Sequence, residues 1–188
     1  MKKWMIILFS FLFAVTVSVA DDRVAPEFSL MGTDGETHSL QDYSDASAVV
    51  VMFIATRCPI SNGFNERMVE LANEYLDNNI VFLGINSNKL EKMGEMKKHA
   101  VKHNFPFVVL KDENNIVADE YKAQVTPEVF VVDSARHVLY HGRIDDSSKV
   151  SERKSEDLKA ALDAIISGEE ISVSETKAFG CTIKRVEK

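Results

Sequence analysis

The 188-residue sequence is poor in cysteine, proline and glycine, with two, four and eight of these residues respectively. So little glycine and proline excludes a fibrous or low-complexity chain, and two cysteines are too few for a small fold built on disulfides. Basic residues are outnumbered by acidic ones, 22 against 29, which gives a net charge of −7. This balance argues against nucleic acid or an anionic membrane surface as the main partner. What remains is a globular domain in which each sulfur can matter individually.

The first twenty residues have the layout of a secretory signal peptide. Two lysines precede the apolar run Trp4–Val17, and small residues at Ser18 and Ala20 precede two aspartates. An uncleaved anchor is the alternative, because the apolar run approaches the ~17 residues that span a bilayer. The small residues favour cleavage, so we expect an exported protein, periplasmic or secreted, with no stable membrane insertion afterwards. The predicted organisation is a signal peptide at 1–20, one domain at 21–168 and a C-terminal tail at 169–188 that carries Cys181.

Strand and helix patterns alternate over the domain, which indicates an α/β fold. Apolar runs rich in β-branched residues predict buried strands, and apolar residues at i, i+4 and i+7 predict amphipathic helices. The predicted strands are 48–54, 80–85, 107–110, 128–133 and 137–141, and the predicted helices are 59–76, 90–103, 116–121 and a last one ended by Gly168. Parallel strands with crossover helices thus give way to an antiparallel pair. We expect residues 24–45 to form an accessory hairpin and the tail to lie extended on the surface.

Cys58 lies between the predicted strand 48–54 and the helix that begins at Pro59. A proline fits the first helical position, which leaves Cys58 as the N-cap, facing unpaired backbone donors. Only the thiolate is a nucleophile, and the field of the helix contributes just ~0.3–1 kcal/mol. Direct N–H contacts and the adjacent cation of Arg57 are therefore expected to supply the remaining stabilisation of the thiolate. The alternative is a buried cysteine that acts as a small hydrophobic residue.

A second feature lies at Thr126 and Pro127, directly before the apolar strand EVFVVD. A proline that leads a strand is tolerated where a ladder donor is dispensable. Its combination with Cys58 is typical of the thioredoxin fold, in which a cis-proline loop packs beside the reactive sulfur. Such a loop offers backbone groups to a bound peptide or thiol. We therefore expect the sulfur of Cys58 to lie uncovered at the β–α junction, with Pro127 alongside.

Three segments carry a family resemblance: APEFSL at 25–30, ATRCP at 55–59 and TPEVFVVD at 126–133. They resemble the redoxin branch of the thioredoxin fold, the alkyl hydroperoxide reductase/thiol-specific antioxidant family. The run CPIS at 58–61 and the terminal FGCTIKR resemble an exported, peroxiredoxin-like subgroup. The resemblance covers about residues 24–167 and implies a central mixed sheet flanked by helices, with an N-terminal extension and an extended C-terminal tail. It also implies a substrate groove formed by Pro59, Thr126 and Pro127.

The sequence departs from both activity motifs of this branch. Thioredoxin-type reductases carry Cys-x-x-Cys, whereas the second cysteine position here is Ser61. Typical peroxiredoxins carry Pro-x-x-x-Thr-x-x-Cys, whereas Val51 and Ala55 occupy the proline and threonine positions. Thr56 offers a hydroxyl, but one residue out of register. Disulfide exchange and peroxide reduction both remain open, and the broken peroxidatic motif favours exchange.

Cys181 can supply the missing second thiol if the tail folds back over the active-site turn. A sulfenic acid or mixed disulfide on Cys58 needs such a thiol for its release. The alternatives are a static disulfide, worth ~2–4 kcal/mol and without chemistry, and two unpaired thiols. The resulting hypothesis is a thiol-dependent oxidoreductase in which Cys58 attacks a disulfide or a peroxide and Cys181 resolves the intermediate on Cys58. Arg57 and the helix N-terminus stabilise the thiolate, and Ser61 forms a hydrogen bond to the sulfur.

The expected substrates of this oxidoreductase are protein thiols or disulfides, or small peroxides, with an unidentified reductant and no cofactor. A non-catalytic binding module that uses the same groove is the alternative function. The histidine pairs at 99 and 103 and at 137 and 141 each lack a certain third ligand, so we predict solvated surface histidines and no metal. The acidic pairs at 145–146 and 169–170 are predicted to be exposed turn charges.

Overall fold

The computed structural model describes residues 23–187, so the predicted signal peptide lies outside the described residues. The larger sheet contains β1 (Ser29–Gly32), β2 (Thr37–Ser39), β3 (Ala48–Phe53), β4 (Ile80–Asn86), β5 (Val108–Lys111), β7 (Glu128–Val132) and β8 (Val138–Gly142). Its strand order is β2-β1-β5-β4-β3-β7-β8. A second ladder joins β6 (Val125–Thr126) to β9 (Cys181–Thr182). The helices are α1 (Pro59–Asn62), α2 (Asn65–Glu74), α3 (Met93–Lys102), α4 (Ile116–Glu120) and α5 (Asp157–Ser167).

Strand β3 lies inside the larger sheet, between β4 and β7. It pairs in parallel with β4 and antiparallel with β7, and β4 pairs in parallel with β5. All of its residues are buried, because helices cover both faces of the sheet. Alternate residues enter two apolar clusters: Val50 and Met52 pack with α2 and α5, and Val49 and Val51 pack with α4 and the N-terminal segment. The predicted α/β architecture, a central mixed sheet flanked by helices, is confirmed.

The prediction of one continuous helix at 59–76 is wrong, since the chain is divided there between α1 and α2 at Gly63. The guanidinium of Arg67 donates hydrogen bonds of 2.7 Å and 2.9 Å to the carbonyl oxygens of Gly63 and Ser148, and it pairs with Asp145. These bonds join the break to the loop after β8. Asp145 is 2% exposed, so its prediction as an exposed turn charge is also wrong. The physical reason is the buried cation that it neutralises.

The C-terminal tail lies mostly at the surface, as expected, with the exception of one buried residue. Ile183 is 3% exposed and belongs to the apolar cluster around α4. Arg185 Nε donates a hydrogen bond of 2.8 Å to the carboxylate of Asp119, and the Lys184 N–H donates one of 2.9 Å to the side-chain oxygen of Asn88. The pairing of β9 with β6 draws this segment into the fold. By contrast, α5 ends as predicted at Gly168, which adopts a left-handed conformation (φ 68°).

The predicted N-terminal hairpin is confirmed as the antiparallel pair β1–β2, which continues into the sheet through β5. Within residues 23–187 no helix combines the length and the apolar composition that crossing a bilayer requires.

Candidate active site

Cys58 is the N-cap of α1, at the point where the chain has left β3. Its Sγ accepts a hydrogen bond of 3.3 Å from the backbone N–H of Ser61, and Pro59 is the first residue of the helix. A proline fits there because the first N–H groups of a helix have no partner within it. The predicted position of the sulfur at a helix N-terminus is therefore confirmed.

A disulfide joins Cys58 to Cys181, 123 residues further along the chain, with the two Cα atoms 6.0 Å apart. In the ladder between β6 and β9, Cys181 lies opposite Thr126. The peptide bond between Thr126 and Pro127 is cis, and the carbonyl oxygen of Thr126 lies 3.5 Å from the Sγ of Cys58. The structure thus brings both cysteines and the Thr126–Pro127 loop into one site.

The sulfur of Cys58 is covered, which corrects the expectation of an open thiol. The residue is only 5% exposed, because β9 and the disulfide lie over it. Its predicted position beside the Thr126–Pro127 loop is confirmed. A cleft of about 240 Å³ reaches the disulfide, and its lining includes both cysteines, Leu90 and Lys184. The two cysteines thus form part of the wall of this cleft.

Arg57 lies next to Cys58 in the chain, but its guanidinium is bound elsewhere. Nε and Nη2 each donate a hydrogen bond of 2.6 Å to the carboxylate of Glu95 on α3. These hydrogen bonds from Arg57 lower the pKa of Glu95 and outweigh the opposing effect of its partial burial. A role of Arg57 in stabilising the thiolate stays a prediction, since its guanidinium forms an ion pair with Glu95.

The hydroxyls of Ser61 and Thr56 are both engaged away from the sulfur. Ser61 is fully buried, and its Oγ accepts a hydrogen bond of 3.2 Å from the backbone N–H of Ala55. The hydrogen bond that we expected from Ser61 to the sulfur is therefore present, and its donor is the backbone N–H. The Thr56 hydroxyl donates a hydrogen bond of 2.6 Å to the carboxylate of Glu91. Both hydroxyls thus shape the turn that presents the sulfur.

Three of the four paired histidines are half-buried at the surface, which is less contact with solvent than we predicted. His99 and His103 lie with ring centroids 4.4 Å apart, and burial is the main cause that lowers the pKa of His99. His141 stacks on Phe130 with a centroid distance of 4.3 Å. Only His137 is exposed, and it pairs with Asp133. Among residues 23–187 there is no cluster of three or more His, Cys, Asp or Glu side chains that could hold a metal ion.

The sequence profile of the AhpC/TSA family matches residues 22–141, which is more than half of the chain. The chain belongs to the AhpC/TSA family. The matched segment includes Cys58 and Pro127, whereas Cys181 lies beyond it in the tail.

The chain is also similar to a curated relative and to solved structures. Thioredoxin-like protein YneN of Bacillus subtilis is 30% identical over 118 residues, which cover 62% of this chain and 68% of that protein. An uncharacterized conserved protein from Geobacillus kaustophilus is 34% identical with a TM-score of 0.83, covering 88% of this chain and 92% of that one. The thioredoxin domain of thiol-disulfide oxidoreductase BVU-2223 from Bacteroides vulgatus is 17% identical with a TM-score of 0.64, covering 79% and 99%. This last likeness shows the fold alone, and it confirms the predicted thioredoxin-like fold.

Two buried carboxylates that support the site of this AhpC/TSA chain were not predicted. The first is Glu91, which is 5% exposed. It accepts hydrogen bonds of 2.7 Å and 3.3 Å from the backbone N–H groups of Thr56 and Arg57. It also accepts a hydrogen bond of 2.6 Å from the side-chain amide of Asn86. Glu91 lies in a run of charged residues, so no sequence pattern separates it from its exposed neighbours.

The second is Glu128, which follows Pro127 and is also 5% exposed. It accepts backbone hydrogen bonds of 2.7 Å from Gln124 and 3.2 Å from Val125, and His141 Nε2 lies 2.8 Å from its other oxygen. Burial raises the pKa of the Glu128 carboxyl, but these hydrogen bonds outweigh burial and leave the pKa below its ordinary value. A sequence signal did exist, since this carboxylate opens an otherwise apolar strand.

Proposed function

We propose that this AhpC/TSA protein is a thiol-dependent oxidoreductase that cycles between a Cys58/Cys181 dithiol and the Cys58–Cys181 disulfide. The observation that carries the proposal is the disulfide itself, formed between the N-cap of α1 and the strand beside Thr126. A backbone N–H that contacts the sulfur favours its charged form, and the thiolate is the nucleophile. The cleft at the disulfide supports access for a small thiol or peroxide.

Disulfide exchange is the reaction we favour. The thiolate of Cys58 attacks one sulfur of a substrate disulfide, so a mixed disulfide forms and the other substrate sulfur leaves as a thiolate. The thiolate of Cys181 then attacks the Sγ of Cys58, forms the intramolecular disulfide and releases the second substrate sulfur. Two electrons pass from the protein to the substrate. A thiol reductant regenerates the dithiol by the same chemistry in reverse.

Peroxide reduction is the second candidate, and membership of the AhpC/TSA family favours it. The thiolate of Cys58 would take one oxygen from a hydroperoxide, which leaves an alcohol and a sulfenic acid on Cys58. The thiol of Cys181 would then form the disulfide and release water. Against this reaction, Ala55 stands at the threonine position of the peroxidatic motif, and the Thr56 hydroxyl donates to Glu91.

We further propose that residues 1–20 direct export and are removed. The disulfide supports the proposal, because such a bond persists in an oxidising compartment outside the cytosol and is uncommon in a reducing cytosol. Cell fractionation combined with N-terminal sequencing of the purified protein tests it. Recovery of the full-length chain from the cytosol would contradict export, and recovery from the periplasm or medium with residue 21 first would support it.

The experiment that tests the main proposal compares the wild type with Cys58→Ser and Cys181→Ser. Each protein is reduced, freed of reductant and mixed with either oxidised glutathione or hydrogen peroxide, and product formation is followed over time. In this single turnover we expect the wild type to consume one equivalent of oxidant and to end as the Cys58–Cys181 disulfide, releasing two glutathione thiols per oxidised glutathione. Cys58→Ser should be inactive, and Cys181→Ser should stop at a mixed disulfide with glutathione or at a sulfenic acid with peroxide. Faster reaction with peroxide than with the disulfide would select the peroxidase. No reaction of the wild type with either oxidant would leave only the non-catalytic binding module.

A further inference from the structure

In the C-terminal segment Gly180–Ile183, β9 (Cys181–Thr182) pairs with β6 beside Cys58, with Gly180 at a bend before it and Ile183 directly after it. We propose that this segment occupies the site where a substrate protein binds, so that the groove selects an extended segment of the pattern glycine–cysteine–any residue–aliphatic. The inference rests on the proposed oxidoreductase function and adds its substrate class. In this arrangement the tail and the substrate compete for one strand edge.

The position before the cysteine accepts glycine alone. A Cβ built on Gly180 would lie 2.0 Å from the carbonyl oxygen of Thr126, 2.6 Å from its carbonyl carbon and 3.3 Å from the nitrogen of Pro127. These are backbone atoms of the loop beside the sulfur, so they have no side-chain freedom by which to move aside. Any larger residue at this position therefore pushes the segment away from β6, and with it the following cysteine.

The cysteine position is defined by strand pairing. Cys181 lies opposite Thr126, and the N–H of Ile183 donates 2.9 Å to the carbonyl oxygen of Gln124. Backbone hydrogen bonds of this kind bind any extended segment and fix its register. In that register the sulfur at the cysteine position meets the Sγ of Cys58, as the disulfide shows.

The two positions after the cysteine differ because successive side chains of a strand point to opposite sides. Thr182 is exposed, so its position places no demand on the side chain. Ile183 is 3% exposed and packs in the apolar cluster of the sheet face that α4 covers. A charged side chain at this position would be buried without a partner, which is strongly unfavourable. The groove thus discriminates at the first and fourth positions of the pattern.

Exchange with a substrate requires that the tail leave. After a thiol reductant has converted the disulfide to two thiols, only non-covalent contacts hold the tail on β6. A substrate segment in a disulfide then binds in its place, and the Cys58 thiolate attacks the substrate sulfur, which breaks the substrate disulfide and releases its other sulfur as a thiolate. When the tail returns, the Cys181 thiolate attacks Cys58 and expels the reduced substrate. Two electrons have moved from the dithiol to the substrate.

The test uses the full chain with Gly180→Val and Cys181→Ser, in which the tail is unseated and Cys58 is the sole thiol. The probe is the peptide Ala-Phe-Gly-Cys-Thr-Ile-Lys-Arg with its cysteine activated as a 2-pyridyl disulfide, so that attack by Cys58 releases pyridine-2-thione. Matched peptides carry valine for the glycine or aspartate for the isoleucine. We expect the first peptide to react about tenfold faster or more than either variant, a typical penalty for a misfit in a pocket.

Equal rates for the three peptides would overturn the proposed selectivity, provided that 2,2′-dithiodipyridine still reacts rapidly with Cys58. Loss of that small-molecule reaction as well would overturn the oxidoreductase function on which the proposal rests. If Gly180→Val fails to fold, as judged by circular dichroism, Cys181→Ser alone is used. The seated tail then slows every peptide, and the same ranking is expected, whereas the absence of any ranking contradicts the proposal.

Discussion

The carboxylate of Glu91 holds both the backbone N–H and the hydroxyl of Thr56, at 2.7 Å and 2.6 Å. Through these bonds α3 and the loop before it are tied to the turn that carries Cys58. Because the carboxylate is buried, no water competes for it, and its charge strengthens each bond. The position of the sulfur therefore depends on a residue more than thirty positions away in the sequence.

We predict that Glu91→Gln lowers the free energy of unfolding by about 2 kcal/mol, because hydrogen bonds to a charged partner contribute ~1.5–3 kcal/mol each. Urea unfolding of the oxidised protein measures this change. Glu95→Gln is the matched control: this carboxylate is about one-third exposed and binds the exposed Arg57, so a loss below about 1 kcal/mol is expected. Equal losses in the two variants would contradict the anchoring role of Glu91.

The substitution Ser61→Ala distinguishes the role of the Ser61 hydroxyl from that of its backbone N–H. The variant removes the acceptor of the Ala55 N–H, a buried group, and a loss of stability of about 1–2 kcal/mol is expected. The N–H that contacts Cys58 is retained, so the rate of alkylation of reduced Cys58 at neutral pH should stay unchanged. A large fall in that rate, with Ser167→Ala as a helix-end control, would show that the hydroxyl acts on the sulfur after all.

Reduction of the Cys58–Cys181 disulfide should lower the free energy of unfolding by about 2–4 kcal/mol, since the bond closes a long loop in the unfolded chain. Urea unfolding with and without a reductant measures the difference. The double variant Cys58→Ser with Cys181→Ser serves as the control, and its stability should be the same under both conditions. A wild type insensitive to the reductant would mean that the tail contacts alone hold the segment.

Glu128 makes a pH-dependent contribution to stability. Burial raises the pKa of its carboxyl, but hydrogen bonds from His141 and from two backbone N–H groups outweigh burial and leave the pKa below its ordinary value. A carboxyl with a lowered pKa in the folded state stabilises the protein above its unfolded pKa, and this contribution is lost as the pH falls through the folded pKa. The difference in stability between wild type and Glu128→Gln should therefore shrink below about pH 4.5. Urea unfolding of both proteins across this pH range measures the difference.

The architecture could be predicted from the sequence because its signals are local. The run of six buried residues in β3 and the proline after Cys58 each determine one element and the cap between them. The break between α1 and α2 could not be predicted, since it depends on Arg67 reaching a loop 78 residues downstream to pair with Asp145. Interactions between distant parts of the chain leave no periodic pattern.

The candidate site shows the same division. The proximity of Cys58 and the Thr126–Pro127 loop followed from motifs, and the structure confirms it. The pairing of Arg57 with Glu95 could not be predicted from the sequence, because Glu95 comes within reach of the flexible Arg57 side chain only when α3 is packed in place. The coverage of Cys58 was missed for a related reason. A tail with weak periodicity gave no sign that Ile183 would be buried and would carry β9 over the sulfur.

The separation of 123 residues between the paired cysteines also sets an order of events during synthesis. At ribosomal rates of about 5–20 residues per second, Cys181 is made roughly 6–25 s after Cys58. Through that interval the nascent chain carries a lone thiol that its own partner is unable to protect. Foreign thiols and oxidants in the surroundings thus have first access to it, before Cys181 has been made and can form the disulfide.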